Sequence, residues 1–525
     1  MSGCGTGGPL CVGIRREDKS RWERRVPITP WDAAELAQQH GITLNVQPSP
    51  DRVFSEDEYR AAGVTIEEDL AGCPVIFGVK EIPAGFLEPG KTYVCFPHVI
   101  KGQSQNMPML RKILELGCNL IDYERVVDDS GRRLIFFGRH AGIAGTIETL
   151  WALGRRLAWE GIPNPFECLL HAYEYHDVAQ AQRDVACAGE AIRAGGIPEA
   201  VRPLIIGVTG YGNVARGAWE ILDLLPVQRI EPDAIPLLHA QNAPSGTNVT
   251  LPDPGPVRDG VSGLASQLPG RQAPSEESPG LAGRDSSLSW PRDGAPGVEP
   301  LRMTPRNRSE PALDGADDLS RSTIYVATFR EEHLAEPLSG AEGFDLQDYY
   351  AHPERYRGIF ARFVPYLTAV VNAIYWDPRY PRLITKAFLR ELYRNSGGTM
   401  FGGDRPRLRV IGDISCDIDG SMECTVQAMQ PDEPVFVFHP ATGQVTNGVA
   451  GDGVVVMAVD ILPSELPRDA STHFSRVLKS FVPAMACADY SQPFELLDLP
   501  PEIKRGVIVY HGELTPDYRH LAEFL

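Results

Sequence analysis

The chain has 525 residues, which fits about three domains or two large ones with an insertion, and is long enough to bury a core without staples. A formal net charge of −19 at pH 7 excludes a general nucleic-acid or anionic-membrane partner and leaves only local basic pockets. The 10 cysteines are scattered, with no Cys-x-x-Cys and no histidine placed to complete a zinc set. No metal is therefore expected, most thiols are read as reduced in a cytoplasmic setting, and Cys416/Cys424 and Cys73/Cys95 stand as disulfide alternatives. The N-terminus lacks a basic region followed by an apolar one, and no run approaches about 18 apolar residues, so neither export nor a membrane span is expected.

In chain order, a β-like run at Leu10–Ile14 leads into an unusually charged stretch at residues 15–25. A helix follows over 31–40, bounded by Pro27 and Pro30, then a strand at Ile42–Val46 and helical periodicity over 51–62. Buried strands at 74–79 and 92–96 complete an alternation that implies a parallel-rich sheet covered on both faces. The ends of these strands hold Lys80-Glu81, His98 and Asp122-Tyr123-Glu124, and ligands sit at strand ends in such sheets. Residues 138–145 are glycine-rich and precede a helical pattern at 147–159, which reads as a crossing between domains, the glycines being either a hinge or a tight packing contact.

The stretch 202–217 is an apolar β-branched run followed at once by Gly210-x-Gly212-x-x-Ala215 and a helical pattern. This is a dinucleotide fingerprint: Gly210 permits the turn, Gly212 admits a pyrophosphate, and Ala215 lets the helix pack on the strand with its N–H groups facing the phosphates. Glu231 ends the next strand about twenty residues on, where an acid binds the adenosine ribose diol and repels a 2′-phosphate. Residues 242–319 are crowded with Pro, Gly, Ser and Asp and read as a disordered insertion looping out of the nucleotide domain. Order resumes at 323–327, an aromatic-rich region spans 349–375, and residues 411–417 read as the last strand and loop of that domain. Two further β-runs (435–438 and 453–458) and a helix at 469–482 are expected to return to the first domain. The fold class is thus α/β, with two Rossmann-like lobes, a central nucleotide-binding domain and an inter-lobe cleft. The expected division is 1–140, then 141–418 interrupted by 242–319, then 419–525.

Several motifs in one order carry a family resemblance: Arg15-Arg16-Glu17-Asp18…Trp22-Glu23-Arg24-Arg25, Gly78-Val79-Lys80, His98-Val99-Ile100-Lys101, Leu120-Ile121-Asp122-Tyr123-Glu124, Thr209-Gly210-x-Gly212-Asn213-Val214, Asn372-x-Ile374-Tyr375-Trp376, Gly412-Asp413-Ile414-Ser415-Cys416-Asp417 and Leu462-Pro463-x-x-Leu466-Pro467. Together they resemble the lysine-ketoglutarate reductase domain of α-aminoadipic semialdehyde synthase and the lysine-forming saccharopine dehydrogenases, and more distantly alanine dehydrogenase. The resemblance implies reductive condensation of L-lysine with 2-oxoglutarate to saccharopine. It implies Lys80 and His98 as the acid/base pair, Glu124 as the carboxylate that tunes them, Arg25 as a bidentate carboxylate clamp and Glu81 as a partner for the lysine ammonium. Cofactor contacts are expected from Gly210, Gly212, Asn213, Val214, Ala215 and Glu231, with Asn372, Asp413 and Asp417 at the nicotinamide end. The resembling reductases imply NADP(H), whereas Glu231 alone favours NAD(H); the nearby Arg229 either approaches the 2′-phosphate or faces solvent. The chain ends where the bifunctional synthases would continue, so one step is expected here, with a separate saccharopine-oxidising enzyme for the other. An opine-type or amino-acid dehydrogenase, or a non-catalytic interaction protein, are the alternatives.

Overall fold

The structure, a computed structural model, describes residues 10–242, 321–340, 343–395 and 406–525. Short Val/Ile/Phe-rich segments of the first lobe make β1 (Leu10–Ile14), β2 (Ile42–Val46), β3 (Thr65–Ile66), β4 (Val75–Phe77), β5 (Thr92–Cys95) and β6 (Asn119–Asp122). All pair parallel, and apolar clusters cover both faces, which is why the strands read as continuous apolar runs. The helix Pro30–His40 starts on Thr29, whose side chain accepts the Asp32 N–H, and stops at Gly41 with φ 64°.

The second lobe is built on β7 (Ile205–Thr209), β8 (Val227–Ile230), β9 (Ile324–Phe329), β12 (Ala369–Asn372), β13 (Val410–Asp413), β14 (Val435–Phe438), β15 (Val445–Asn447) and β16 (Val454–Met457). A small antiparallel pair, β10 (Ala335–Pro337) and β11 (Tyr356–Gly358), stands apart from the main sheet. The spatial order is β15-β14-β16-β13-β12-β7-β9-β8, parallel except at β14 and β15. This sheet runs past the expected boundary at 418. The runs VFVF and VVVM are buried at every position, so they need a sheet interior and complete this lobe rather than returning to the first.

The return begins with the helix Pro467–Leu478. Its Ser471 and Ser475 hydroxyls accept the N–H groups of Val26 and Thr29 at 2.9 Å each, and Lys479 just beyond it pairs with Asp32 at 2.7 Å. Then β17 (Val507–Tyr510) and β18 (Glu513–Leu514) extend the first sheet, giving the order β18-β17-β6-β5-β4-β1-β2-β3.

The glycines at 138–145 lie inside one helix, Gly138–Trp159, and not in a loop before it. A Cβ at Gly142 would stand 1.9 Å from the Val214 carbonyl oxygen, and one at Gly217 would stand 2.0 Å from that of Arg139. These glycines therefore serve close packing on the helix Asn213–Leu222 and the hinge reading gives way. Cys73, Cys95, Cys416 and Cys424 are free thiols, so neither alternative disulfide forms. Among the described residues no helix is long and apolar enough to cross a membrane. Apart from Asn242, the stretch 242–319 lies outside the described residues.

Candidate active site

The strands β6, β5, β4 and β1 are neighbours, so the residues leaving their C-terminal ends meet along one edge of the first lobe. After β1 the chain supplies Glu17, whose carboxylate accepts the N–H groups of Val79 at 2.6 Å and Lys80 at 3.0 Å and so fixes the turn that carries Lys80. Burial, reinforced by the nearby Glu23 charge, pushes this carboxyl up to about 7. Arg25 grips Glu23 through Nε–Oε1 at 2.7 Å and Nη2–Oε2 at 2.5 Å, with both side chains buried and the guanidinium 4.1 Å from the Phe137 ring centroid. Burial alone would raise Glu23, yet the Arg25 charge and hydrogen bonds hold it below the usual carboxylate range. The expected clamp is thus already bound to a carboxylate of its own chain, with Nη1 as its remaining edge.

Glu81 joins the two lysine-bearing loops to the histidine. Its Oε1 lies 2.7 Å from Lys19 Nζ and 3.2 Å from His98 Nδ1, while Oε2 is buried without a partner. Burial opposes ionisation there, but the His98 and Lys19 hydrogen bonds outweigh it and bring Glu81 to about 2. His98 sits in the left-handed region at φ 47°, a conformation uncommon for a non-glycine residue, and its carbonyl accepts the Asn106 amide at 3.0 Å. Burial and the Arg25 charge lower the Lys80 ammonium from its ordinary value, so both favour its neutral form. Glu124 is placed differently from the expectation: its carboxylate is paired with Arg133, and its backbone N–H donates to Asp122 Oδ1 at 2.8 Å. The carboxylate at His98 is Glu81 instead. In the sequence Glu17 and Glu23 have a place in a motif but no role, and nothing there points to Lys19; the density of charge in residues 15–25, directly after a buried strand, is the available signal.

On the nucleotide side Gly210 has φ 89°, and a Cβ there would lie 2.9 Å from the Ala373 oxygen. A Cβ at Gly212 would meet nothing within 4 Å, and the helix Asn213–Leu222 begins with no side-chain cap, leaving open space beside its first N–H groups. This cradle fits a dinucleotide pyrophosphate. Ala215 is fully buried, and Asn213 and Val214 line the contact with Gly138.

Asn372 and Asp413 are also buried and tie strand ends together. Thr209 Oγ1 donates to Asn372 Oδ1 at 2.7 Å, Asn372 Nδ2 donates to Asp413 Oδ1 at 2.8 Å, and Thr425 Oγ1 donates to Asp413 Oδ2 at 2.6 Å. Their side chains are spent on one another and support the cradle from behind. Asp417 stands beyond β13 with its residue surface exposed; partial desolvation of the carboxyl by its surroundings raises it and the Lys101 charge of the first lobe opposes that rise.

Glu231 follows β8, the edge strand, so β9 stands between it and the glycine strand β7. Arg229 is turned to Asp223, with two contacts of 2.8 Å, and lies over the Trp219 ring. The segment that does reach the glycine turn is the end of β9, where the Phe329 carbonyl accepts the Gly210 N–H at 2.9 Å. Spacing from the glycines could not reveal this, because the strand next in sequence is not the strand next in the sheet.

The family described as alanine dehydrogenase/PNT, N-terminal domain, matches residues 13–144. An α-aminoadipic semialdehyde synthase of Arabidopsis thaliana is 34% identical over 516 residues, covering 97% of this chain and 41% of that protein. The mitochondrial α-aminoadipic semialdehyde synthase of Bos taurus is 29% identical over 518 residues, covering 98% of this chain and 47% of that one. The chain therefore spans less than half the length of these relatives. A solved L-alanine dehydrogenase shares the fold, with a TM-score of 0.52 at 14% identity over 98% of this chain and 100% of that one. The cattle, rat and mouse relatives are mitochondrial proteins, which overturns the cytoplasmic expectation. That expectation rested on the scatter of the cysteines, which does not single out the cytosol.

Proposed function

Since this chain belongs to the superfamily of alanine dehydrogenases, saccharopine dehydrogenases and α-aminoadipic semialdehyde synthases, we propose that it is a lysine–2-oxoglutarate reductase that forms saccharopine with NADPH, reversibly. The fold is that of an NAD(P)-type oxidoreductase acting on CH–NH groups. The observation that carries the finer reading is the meeting of Lys80, Glu81, His98 and the Arg25–Glu23 pair at the ends of adjacent strands.

The chemistry needs a neutral ε-amine, a polarised ketone and a carrier for the protons released as water leaves. Lys80, its ammonium lowered by burial and Arg25, takes a proton from the incoming amine and returns it to the departing hydroxyl. His98, oriented through Nδ1 by Glu81, holds its other nitrogen toward the reacting nitrogen and carries protons during the reduction. The unpartnered Glu81 Oε2 suits a substrate ammonium, and the free Nη1 edge of Arg25 suits a substrate carboxylate. Gly210, Gly212 and the start of the helix Asn213–Leu222 would hold the pyrophosphate of the dinucleotide, which when bound would supply the hydride that reduces the imine to CH–NH.

The test is a screen of purified protein with L-lysine and other amines against 2-oxoglutarate and other keto acids, following NADPH and NADH oxidation separately. Turnover confined to lysine, 2-oxoglutarate and NADPH is expected. Preferred turnover of another amine or keto acid would replace this reading with an opine-type dehydrogenase, and the absence of turnover with every pair would remove the catalytic reading.

A further inference from the structure

The strand beside the glycine strand is β9, with Val208 opposite Thr328 and Thr209 opposite Phe329. In doubly wound nucleotide folds the side chain that meets the adenosine 2′-position leaves this neighbouring strand. Here the residues that leave it are Arg330 and Glu331. Glu231 leaves the strand beyond, two inter-strand spacings or roughly 10 Å from β7.

The two residues at the β9 end are not equally available. Glu331 Oε1 accepts the Tyr350 hydroxyl at 2.6 Å and the Tyr211 hydroxyl at 3.2 Å, Tyr211 being the residue between the two fingerprint glycines. Burial and the hydrogen bond to Glu331 raise the Tyr350 phenol, so the hydroxyl keeps its proton and stays a donor to this carboxylate. Arg330 is exposed, its guanidinium carbon 5.7 Å from the Tyr211 ring centroid, and among the described residues it has no ion-pair partner. A carboxylate tethered by two phenols is a poor acceptor for a ribose diol, whereas a free planar cation stacked at the edge of the glycine turn is a receptor for a phosphate monoester.

We propose that Arg330 receives the 2′-phosphate of NADP(H), and that Tyr211 and Tyr350, by holding Glu331, remove the acid that would otherwise select NAD(H). This inference rests on the dinucleotide-binding reading above and assigns its selectivity to the end of β9. Arg229 and Glu231 have no part in it.

The test is direct binding to the full chain, without turnover, using calorimetry with 2′,5′-ADP and with 5′-ADP as probes. The parent is expected to bind 2′,5′-ADP more tightly than 5′-ADP. Arg330→Ser should weaken 2′,5′-ADP by about 10- to 100-fold, the loss of a charge-assisted contact, and leave 5′-ADP unchanged. Arg330→Lys should recover part of that loss, and all variants should melt like the parent because the side chain is exposed. Equal binding of 2′,5′-ADP by parent and Arg330→Ser, with 5′-ADP still bound, overturns the assignment while leaving the dinucleotide reading intact. If Glu331→Gln weakens 5′-ADP and Arg330→Ser changes nothing, the acid selects the cofactor and the assignment is wrong. Failure of the parent to bind either nucleotide defeats the underlying reading itself.

Discussion

Lys80 and His98 each follow a parallel strand by three residues, and the two strands are neighbours, so sheet geometry sets the pair while the loop after β1 sets its charge. Replacing His98 by Gln keeps most of the volume and removes the proton carrier; the maximal rate should fall by about 10²–10⁴ and one limb of the pH profile should vanish. Lys80→Met should slow condensation and hydrolysis more than hydride transfer, so 4-deuterated NADPH should show a smaller isotope effect than in the parent. Rates and pH profiles equal to the parent in both variants would leave the chemistry without proton carriers. A second residue-scale consequence concerns Asp122, which is fully buried, with Oδ2 unpartnered, and pushed up to about 8 by that burial. A carboxyl raised on folding adds stability that is complete below its unfolded value near 4 and is lost as the pH rises through about 8. Asp122→Asn should remove that decline, up to about 5 kcal/mol across the window, in denaturant titrations between pH 4 and 9. A variant whose stability still falls with the parent's slope would place the decline elsewhere. The strand-end residues were legible because a buried apolar run announces its own end. The Arg25–Glu23 pair was not, since two charges in an irregular loop leave no periodic signal that they face each other.

At the scale of elements, the phosphate cradle depends on how closely two helices cross. With the Gly142 Cβ position 1.9 Å from a backbone carbonyl, Gly142→Ala cannot be absorbed by a side-chain rotation and must push the helix Asn213–Leu222 away. We expect a loss of about 1–3 kcal/mol in chemical denaturation together with weaker nucleotide binding, because the displaced helix start is the one facing the phosphates. Gly195→Ala is the control: its Cβ would meet nothing within 4 Å, so stability should hold or rise by up to about 1 kcal/mol. Parent-like stability and nucleotide affinity in Gly142→Ala would show that the crossing is not what fixes the cradle. The glycine turn, β7 and its helix were readable from local pattern alone, because the turn chemistry and the periodicity are contiguous. The neighbour of β7 was not readable. In sequence order β8 comes first, yet β9, on the far side of residues 242–319, takes the adjacent place, and with it the position expected of Glu231. Strand order is decided by which apolar faces fit the interior: β9 is buried at five of six positions, whereas β8 reads intermediate and exposed throughout.

For the whole molecule, the first lobe is closed by the last part of the chain. Phe474, Leu478, Val482, Met485 and Val507 complete one apolar face of its sheet, and Ile508, Val509, Tyr518 and Leu521 complete the other. The antiparallel β17 also satisfies the open edge of β6, which otherwise presents unpaired N–H and C=O groups. Residues 13–144, the part that matches a family domain, are therefore expected not to fold by themselves. A fragment of residues 10–144 lacks both covers and is expected to aggregate or to melt without a cooperative transition. Joining residues 465–525 to it through a flexible linker should restore a cooperative melt followed by far-UV circular dichroism, because the same faces are covered again. The order of events is also constrained: the segment beside Arg25 gains an acceptor for the Val26 N–H only when the C-terminal helix presents the Ser471 hydroxyl, so the substrate side should become ordered only after the chain is complete. Hydrogen exchange during refolding should show protection of Val208 and Val371 in the nucleotide sheet before protection of Val75 and Val94 in the first. Cooperative melting of the 10–144 fragment alone, or earlier protection of Val75 and Val94, would mean that the first lobe organises itself and that the C-terminal return only decorates it.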